Sequence, residues 1–309
     1  MDYSIILKKL CSKNIEEQKR VYEGLCSKSK FEDILEGKKK IDGLLMKYLL
    51  ERLGKSSEKF ELILQIEDYK MIELQEMIKK SIKEKKYHFV EKILKKYEKE
   101  IKRGKILELQ IISQLKVELL FEKGEYKKAL KEIKIALDYT KRNEDSLTEG
   151  EELWELPMTT MEIRLQQQKI EVYHQLGEMD KSYEMAKKME RYIEKWVTDE
   201  ELLASAYMPI ILFLARTSYE FHEYERCVFY CKKGITCLQK SRSAIGSPEI
   251  FRIKANAMKE GNIGSKKEWK RAYFEACSIE SIYNDTYDLE EKMRAESGGN
   301  LWEFMSLEK

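Results

Sequence analysis

The feature that most limits what this chain can become is a pattern that returns along it. A turn residue is followed two places later by an aromatic or large apolar residue, then by small or apolar residues at helical steps. Gly124-Glu125-Tyr126 leads to Ala129, Ile133 and Ala136, whose steps of four and three put them on one helix face. Gly177 and Met179 lead to Ser182, Ala186 and Met189, and His222 and Tyr224 lead to Cys227, Cys231 and Gly234. Weaker units lie upstream (Tyr87, Val90, Leu94, Tyr97) and downstream (Trp269, Ala272, Ala276, Ile279). Each unit reads as two antiparallel helices with an apolar face. One pair cannot bury that face alone, so several must stack into a continuous core.

Units of this kind resemble tetratricopeptide repeats. Their leading positions, Tyr87, Tyr126, Met179, Tyr224 and Trp269, are 39, 53, 45 and 45 residues apart. The simplest such repeat is about 34 residues long, so longer helices or larger loops are required. Lys141 to Pro157, with Asn, Asp, Ser and Gly, reads as a loop that accounts for the widest step, and Ser241 to Pro248 is a second turn-rich stretch. The expectation is an all-α fold. Residues 63–289 would form a right-handed superhelix whose first helices line a concave face. Residues 1–62 would precede it, and 290–309 would add a helical cap, Leu301 to Met305 following a break at Gly298-Gly299.

Composition agrees with long, solvated helices: 37% of residues are charged, 42% are hydrophobic, and there are only 3 Pro and 14 Gly. The net charge of +2 argues against a global electrostatic grip on nucleic acid but leaves room for a local basic patch. Cys11, Cys26, Cys227, Cys231, Cys237 and Cys277 form no CxxC pair and read as free thiols of a reducing, cytoplasmic compartment. No apolar run reads as approaching the ~18 residues of a membrane span, so no membrane partner is expected.

Residues 1 to about 62 do not follow the repeat. They divide into short helical pieces, Ser4 to Leu10, Glu16 to Tyr22, Lys28 to Leu35 and Leu44 to Leu53, punctuated by Gly24, Gly37 and Gly54. Ser27 or Ser29 is placed to cap the third piece. Short helices with tight turns suit a helix-turn-helix domain.

The stretch Leu7-Lys-Lys-Leu, Gln18, Val21-Tyr-Glu-Gly-Leu-Cys-Ser-Lys-Ser and Ile34-Leu-Glu-Gly-Lys resembles the helix-turn-helix of the phage-repressor (Xre-like) family. The tract Leu44 to Phe60 is similar to the segment that follows this motif in helix-turn-helix proteins carrying tetratricopeptide repeats. Together they resemble the peptide-pheromone-responsive regulators of the Rgg/PlcR type. The resemblance implies that the second motif helix enters the major groove of double-stranded DNA and reads base edges. By position, Gln18 would start the first motif helix as a backbone contact. Ser27, Lys28, Ser29 and Lys30 would open the recognition helix, and Lys38, Lys39 and Lys40 would lie near phosphate. It also implies a homodimer. The chain departs from the family pattern at Glu32 and Asp33, which stand inside the recognition helix. Residues 1–62 carry 14 Lys and Arg against 11 Asp and Glu, a surplus of three.

The first helices of the repeats carry a polar stripe: Arg164, Gln167, Gln168 and Glu171, spaced by three to four residues. Arg216 and Tyr219, beside Leu212, continue it in the next unit, and Asn256 in the one after. Gln, Asn and Arg can pair with the unpaired amides, carbonyls and terminal carboxylate of an extended peptide. The alternative for each residue is a solvated helix face.

Catalytic signals are weak. His88, His174 and His222 are widely separated, and no HExxH, serine elbow or phosphate-binding loop occurs. Cys227 and Cys231 near His222 read as small core residues rather than metal ligands. No catalytic residue, metal or cofactor is assigned. The leading reading is a cytoplasmic transcription regulator that binds DNA through its N-terminal domain and a signalling peptide on the concave face. The alternative is a protein-binding adaptor whose helix-turn-helix-like domain has lost DNA affinity, which Glu32 and Asp33 favour.

Overall fold

The computed structural model describes residues 3–11, 14–56, 66–101, 105–144, 147, 152–241 and 247–283. Among the described residues there are helices and turns and no strand. The chain divides into two compact units, Met1–Leu202 and Leu203–Lys309.

The first unit opens with four short helices, α1 (Tyr3–Leu10), α2 (Ile15–Tyr22), α3 (Lys28–Leu35) and α4 (Gly43–Arg52). Their bounds follow the punctuation read from the sequence to within a residue. Capping explains this: the side chains of Asn14, Ser27 and Asp42 accept the backbone N–H of Glu16, Lys30 and Leu45 and start α2, α3 and α4. Leu7, Phe31, Ile34, Leu45, Met46 and Leu49 are almost completely buried at the centre of the four helices. Each such side chain contributes about 1.5–3 kcal/mol relative to exposure.

Three hairpins follow in the same unit: α5 (Ile66–Lys83) with α6 (Tyr87–Glu100), α7 (Ile106–Glu122) with α8 (Tyr126–Asp138), and α9 (Thr160–Gln175) with α10 (Met179–Trp196). A single 3-10 turn, Leu153–Glu155, lies between α8 and α9. The second unit takes up α11 (Glu200–Glu220) from Leu203 and continues with α12 (Tyr224–Ser241), α13 (Ser247–Glu260) and α14 (Lys266–Tyr283). The positions expected to face the core do so: Ala129, Ile133, Ala136, Ser182, Ala186, Met189, Cys227, Cys231 and Ala276 are at most 1% exposed. Gly234 serves close approach, since a Cβ there would stand 3.1 Å from Ile211 and 3.2 Å from Ile250.

The repeat is written in the backbone more faithfully than in the residues. Lys85, Gly124, Gly177, His222 and Asn262 each close a hairpin's first helix in the left-handed region. The N–H of the next residue reaches back five residues each time, Lys86 to Ser81, Glu125 to Leu120, Glu178 to Tyr173, Glu223 to Ser218 and Ile263 to Met258, at 2.8–3.0 Å. Among the described residues one helix ending thus closes the first helix of all five hairpins, with glycine at only two of these five places. The long period comes from helix length, as expected: α9 to α12 span 16 to 21 residues.

One expectation is corrected. Leu202–Glu220, within α11, is long and apolar enough to cross a membrane, 19 residues at mean hydropathy 1.3. Its polar residues gather at its end, Arg216 to Glu220, and leave the apolar run before them long enough to keep that average high, while 67% of the stretch is buried within the protein. The expected C-terminal cap, 290–309, lies outside the described residues.

Candidate functional site

Two surfaces and one buried seam carry the polar chemistry. The first surface is α3 and its flanks. Ser27 is engaged at the start of α3, its Oγ accepting the Lys30 N–H at 3.2 Å. Lys28 and Ser29 are exposed on the first turn, and Gln18 is half-buried on α2. The lysines expected near DNA stand beside carboxylates: Lys28 is 3.8 Å from Glu32, Lys30 is 3.8 Å from Asp42, and Lys38 pairs with Glu36. Lys39 and Lys40 are exposed. Glu32, one of the two acidic residues inside the expected recognition helix, therefore sits one turn from Lys28 on the same face. Burial pushes the Cys11 and Cys26 thiols up to about 11, so both are protonated at neutral pH.

The second surface is the stripe on the odd-numbered helices, which the structure assembles separately in each unit. In the first unit, Arg164 on α9 pairs with Glu118 on α7, which also accepts a 2.8 Å bond from Gln114. Lys79 on α5 is half-buried nearby; burial, then the Arg164 charge, pulls its ammonium below the usual lysine range. Gln167, Gln168 and Glu171 are half-buried along the same helix, and the Gln168 Oε1 is buried without a hydrogen-bond partner among the described residues. In the second unit, Arg216 holds Glu249, with one contact at 3.0 Å. The Tyr219 hydroxyl donates to Glu260 at 2.5 Å, and that carboxylate also takes a 3.2 Å bond from Tyr224. Asn256 is half-buried on α13 between Glu249 and Glu260, at helical steps that place the three on one face. Cavities of about 190 and 520 Å³ are lined by none of these residues, and Arg164 and Arg216 stand exposed on their helices.

The seam was not foreseen from sequence. Arg52, the last residue of α4, is 4% exposed, and Glu162, in the first turn of α9, is completely buried. Arg52 Nη2 lies 2.6 Å from the Glu162 carboxylate and Nε 3.4 Å from its other oxygen. The same guanidinium donates to the carbonyls of Val21 at 3.1 Å and Glu23 at 2.6 Å, at the end of α2, and of Thr140 at 3.3 Å, beyond α8. Glu162 is also half of a capping box, its Oε2 taking the Thr159 N–H at 2.6 Å while Thr159 Oγ1 takes the Glu162 N–H at 3.1 Å. Glu51 accepts the Thr160 N–H at 2.9 Å. Arg142, 1% exposed, donates to the Arg20 carbonyl at 2.8 Å and the Pro157 carbonyl at 3.1 Å.

The electrostatics of the seam are uneven. Burial alone would raise the Glu162 carboxyl, but Arg52 and Arg142 outweigh it and hold it below the usual range. Glu51, despite Lys47 at 3.9 Å and hydrogen bonds from the Thr160 amide and side chain, is pushed up by burial. Burial pulls Arg142 down to about 10. Gly24, between α2 and α3, completes the fit. Its φ is +80°, and a Cβ there would stand 2.2 Å from the Thr140 carbonyl oxygen. One signal in the sequence pointed here: Thr159-Thr160-Met161-Glu162 after Pro157 is the capping-box spelling of a helix start.

No protein-family model and no curated relative matches the chain. Among solved structures, it is similar to the crystal structure of Bacillus thuringiensis PlcR in complex with the peptide PapR7 and DNA. The TM-score is 0.56 at 15% identity, covering 95% of this chain and 98% of that one. The likeness spans the short N-terminal helices and the hairpins alike, so the fold expected from the resemblance, an all-α chain with a helix-turn-helix domain before tetratricopeptide-like repeats, is the fold observed.

Proposed function

We propose that the chain is a transcription regulator of the peptide-responsive kind, binding double-stranded DNA through its N-terminal helices and a short signalling peptide on the stripe of its odd-numbered helices. The observation that carries this is the correspondence, over nearly the full length of both chains, with a fold captured holding both a peptide and DNA. In this reading 1–62 is the DNA-binding domain and 63–289 the ligand-binding repeats, and the protein acts as a cytoplasmic homodimer. Lys28, Ser29 and Lys30 open the recognition helix, Gln18 lies at the start of the preceding one, and Lys38 and Lys39 meet phosphate. Ser27 contributes as the cap. Arg164, Gln167, Gln168, Glu171, Arg216, Tyr219 and Asn256 receive the peptide.

The paired lysines temper the DNA affinity. Each exposed pair with Glu32, Asp42 or Glu36 must open before its lysine meets phosphate, and solvent screening makes each such opening easy. The same pairs favour the adaptor reading, but that reading leaves the likeness of the N-terminal half unused.

Selection of duplexes from a randomised pool by the full-length chain tests the proposal. An enriched sequence, bound in a steeply salt-dependent way, is expected. Glu32→Gln should tighten that binding. A pool that stays random after repeated selection, together with recovery of a stoichiometric protein partner, would establish the adaptor instead.

A further inference from the structure

The seam joins three things that are far apart in sequence. Glu162 stands in the first turn of α9, the helix that carries Arg164, Gln167, Gln168 and Glu171. Arg52 closes α4, and two of the three carbonyls it grips, those of Val21 and Glu23, belong to the last turn of α2 and the residue after it. Those carbonyls are the last things fixed before the turn into α3, whose cap, Ser27, follows Glu23 by four residues. Both ionic groups are wholly excluded from water at their side chains. A buried guanidinium cannot slide along its partners, because each displaced carbonyl or carboxylate oxygen loses a hydrogen bond in a site water does not reach. The backbone approach at Gly24 leaves no slack either, so the α2–α3 turn can move over Thr140 only by moving away from it.

We propose that Arg52 and Glu162 are positioning residues that tie the orientation of the α2–α3 pair to the first turn of α9. This rests on the reading that α9 faces the ligand and α3 faces DNA. A ligand that shifts the start of α9 shifts the Glu162 carboxylate, and Arg52 must either follow it, drawing the end of α2 along, or release the carbonyls of Val21 and Glu23. The capping box makes the link two-sided. Glu162 Oε2 holds the Thr159 amide while the carboxylate holds Arg52, so loosening the helix start loosens the grip on α2.

Backbone amide exchange on the full-length chain, with no DNA or peptide added, tests this. Arg52→Lys keeps a cation beside Glu162 but gathers three donors on one nitrogen instead of spreading five over a planar fork, and so cannot hold three carbonyls and a carboxylate together. Exchange of the amides from Val21 to Cys26 is expected to rise at least tenfold, with α13 and α14 unchanged. Thr159→Ala removes the cap oxygen of α9 and leaves Arg52 intact. It is expected to speed exchange both in the first turn of α9 and in the same α2–α3 amides. If Thr159→Ala loosens α9 alone, or if Arg52→Lys leaves the α2–α3 amides as in the unaltered chain, the link is overturned. If Arg52→Lys fails to fold, Thr159→Ala decides. A chain that retained no duplex would sink the functional reading while leaving this result untouched, so the two failures are separable.

Discussion

The same two functional groups, guanidinium and carboxylate, meet in two kinds of place in this molecule, and burial makes them different devices. Arg52 and Glu162 meet at the seam with no side-chain exposure, and the guanidinium is further bonded to three carbonyls. Arg164 with Glu118, and Arg216 with Glu249, meet on open helix faces where the arginines are 47% and 43% exposed. Water can replace either partner on the open face, so those pairs are easily parted by an incoming carboxylate or amide. At the seam nothing can replace a lost partner, so the pair confers a fixed geometry at little net gain in stability. In the proposed reading, exchangeable ion pairs suit the face offered to a peptide, and an unexchangeable one suits the tie between that face's helix and α2–α3.

The sharpest way to break this contrast is to remove one member of the buried pair. Arg52→Gln or Glu162→Gln should each cost about 3–5 kcal/mol in chemical denaturation, because each strands a buried charge. The double replacement Arg52→Met with Glu162→Leu should recover part of that loss; equal losses for single and double variants would show that the pair is not a coupled unit. Next in size is Gly24→Ala, which adds a strained φ to a clash with the Thr140 carbonyl and should cost about 2–4 kcal/mol. An unchanged denaturation midpoint would mean that the close contact at the turn does not exist in solution.

The seam also predicts two opposite pH limbs. Glu162 titrates below its ordinary range, so its contribution is in place above that range and is lost as acid carries the pH down through its folded value. Glu51 titrates above its ordinary range, so its contribution is in place in acid and is lost as the pH rises through its folded value. Denaturation midpoints measured from acid to neutral pH should therefore fall on both sides of a maximum, and Glu51→Gln should flatten the upper limb alone. A Glu51→Gln curve that parallels the parent at every pH would contradict this. The smallest effect belongs to the open face: Arg164→Ala and Arg216→Ala should each change stability by less than about 1 kcal/mol. They should nonetheless weaken capture from a synthetic library of short peptides. A loss of several kcal/mol in stability from either would erase the distinction between the two settings.

Most of the architecture was legible because it is local. Asn14, Ser27 and Asp42 start their helices through bonds to amides two or three residues away, and such bonds leave a mark in a short window. The hairpins were found through Ala129, Ala186 and Cys231, whose helical spacing reports a buried face wherever that face goes. The turns at Lys85, His222 and Asn262 were harder, since residues other than glycine take the left-handed conformation there. The residues of the candidate ligand stripe were legible as belonging to the first helices of their hairpins, but not their partners: nothing near Arg164 or Arg216 in sequence announces Glu118 or Glu249.

What the sequence determined by itself is thus the order and ends of the helices, their inward faces and the recurrence of the hairpin. These depend on contacts within a few turns of chain. Only the tertiary structure decided that Arg52 would reach Glu162, 110 residues away, and that Gly24 would rest on Thr140. A buried charge is tolerable only where the whole fold supplies its partners. Which partners those are depends on packing between distant segments, and no local spacing encodes that.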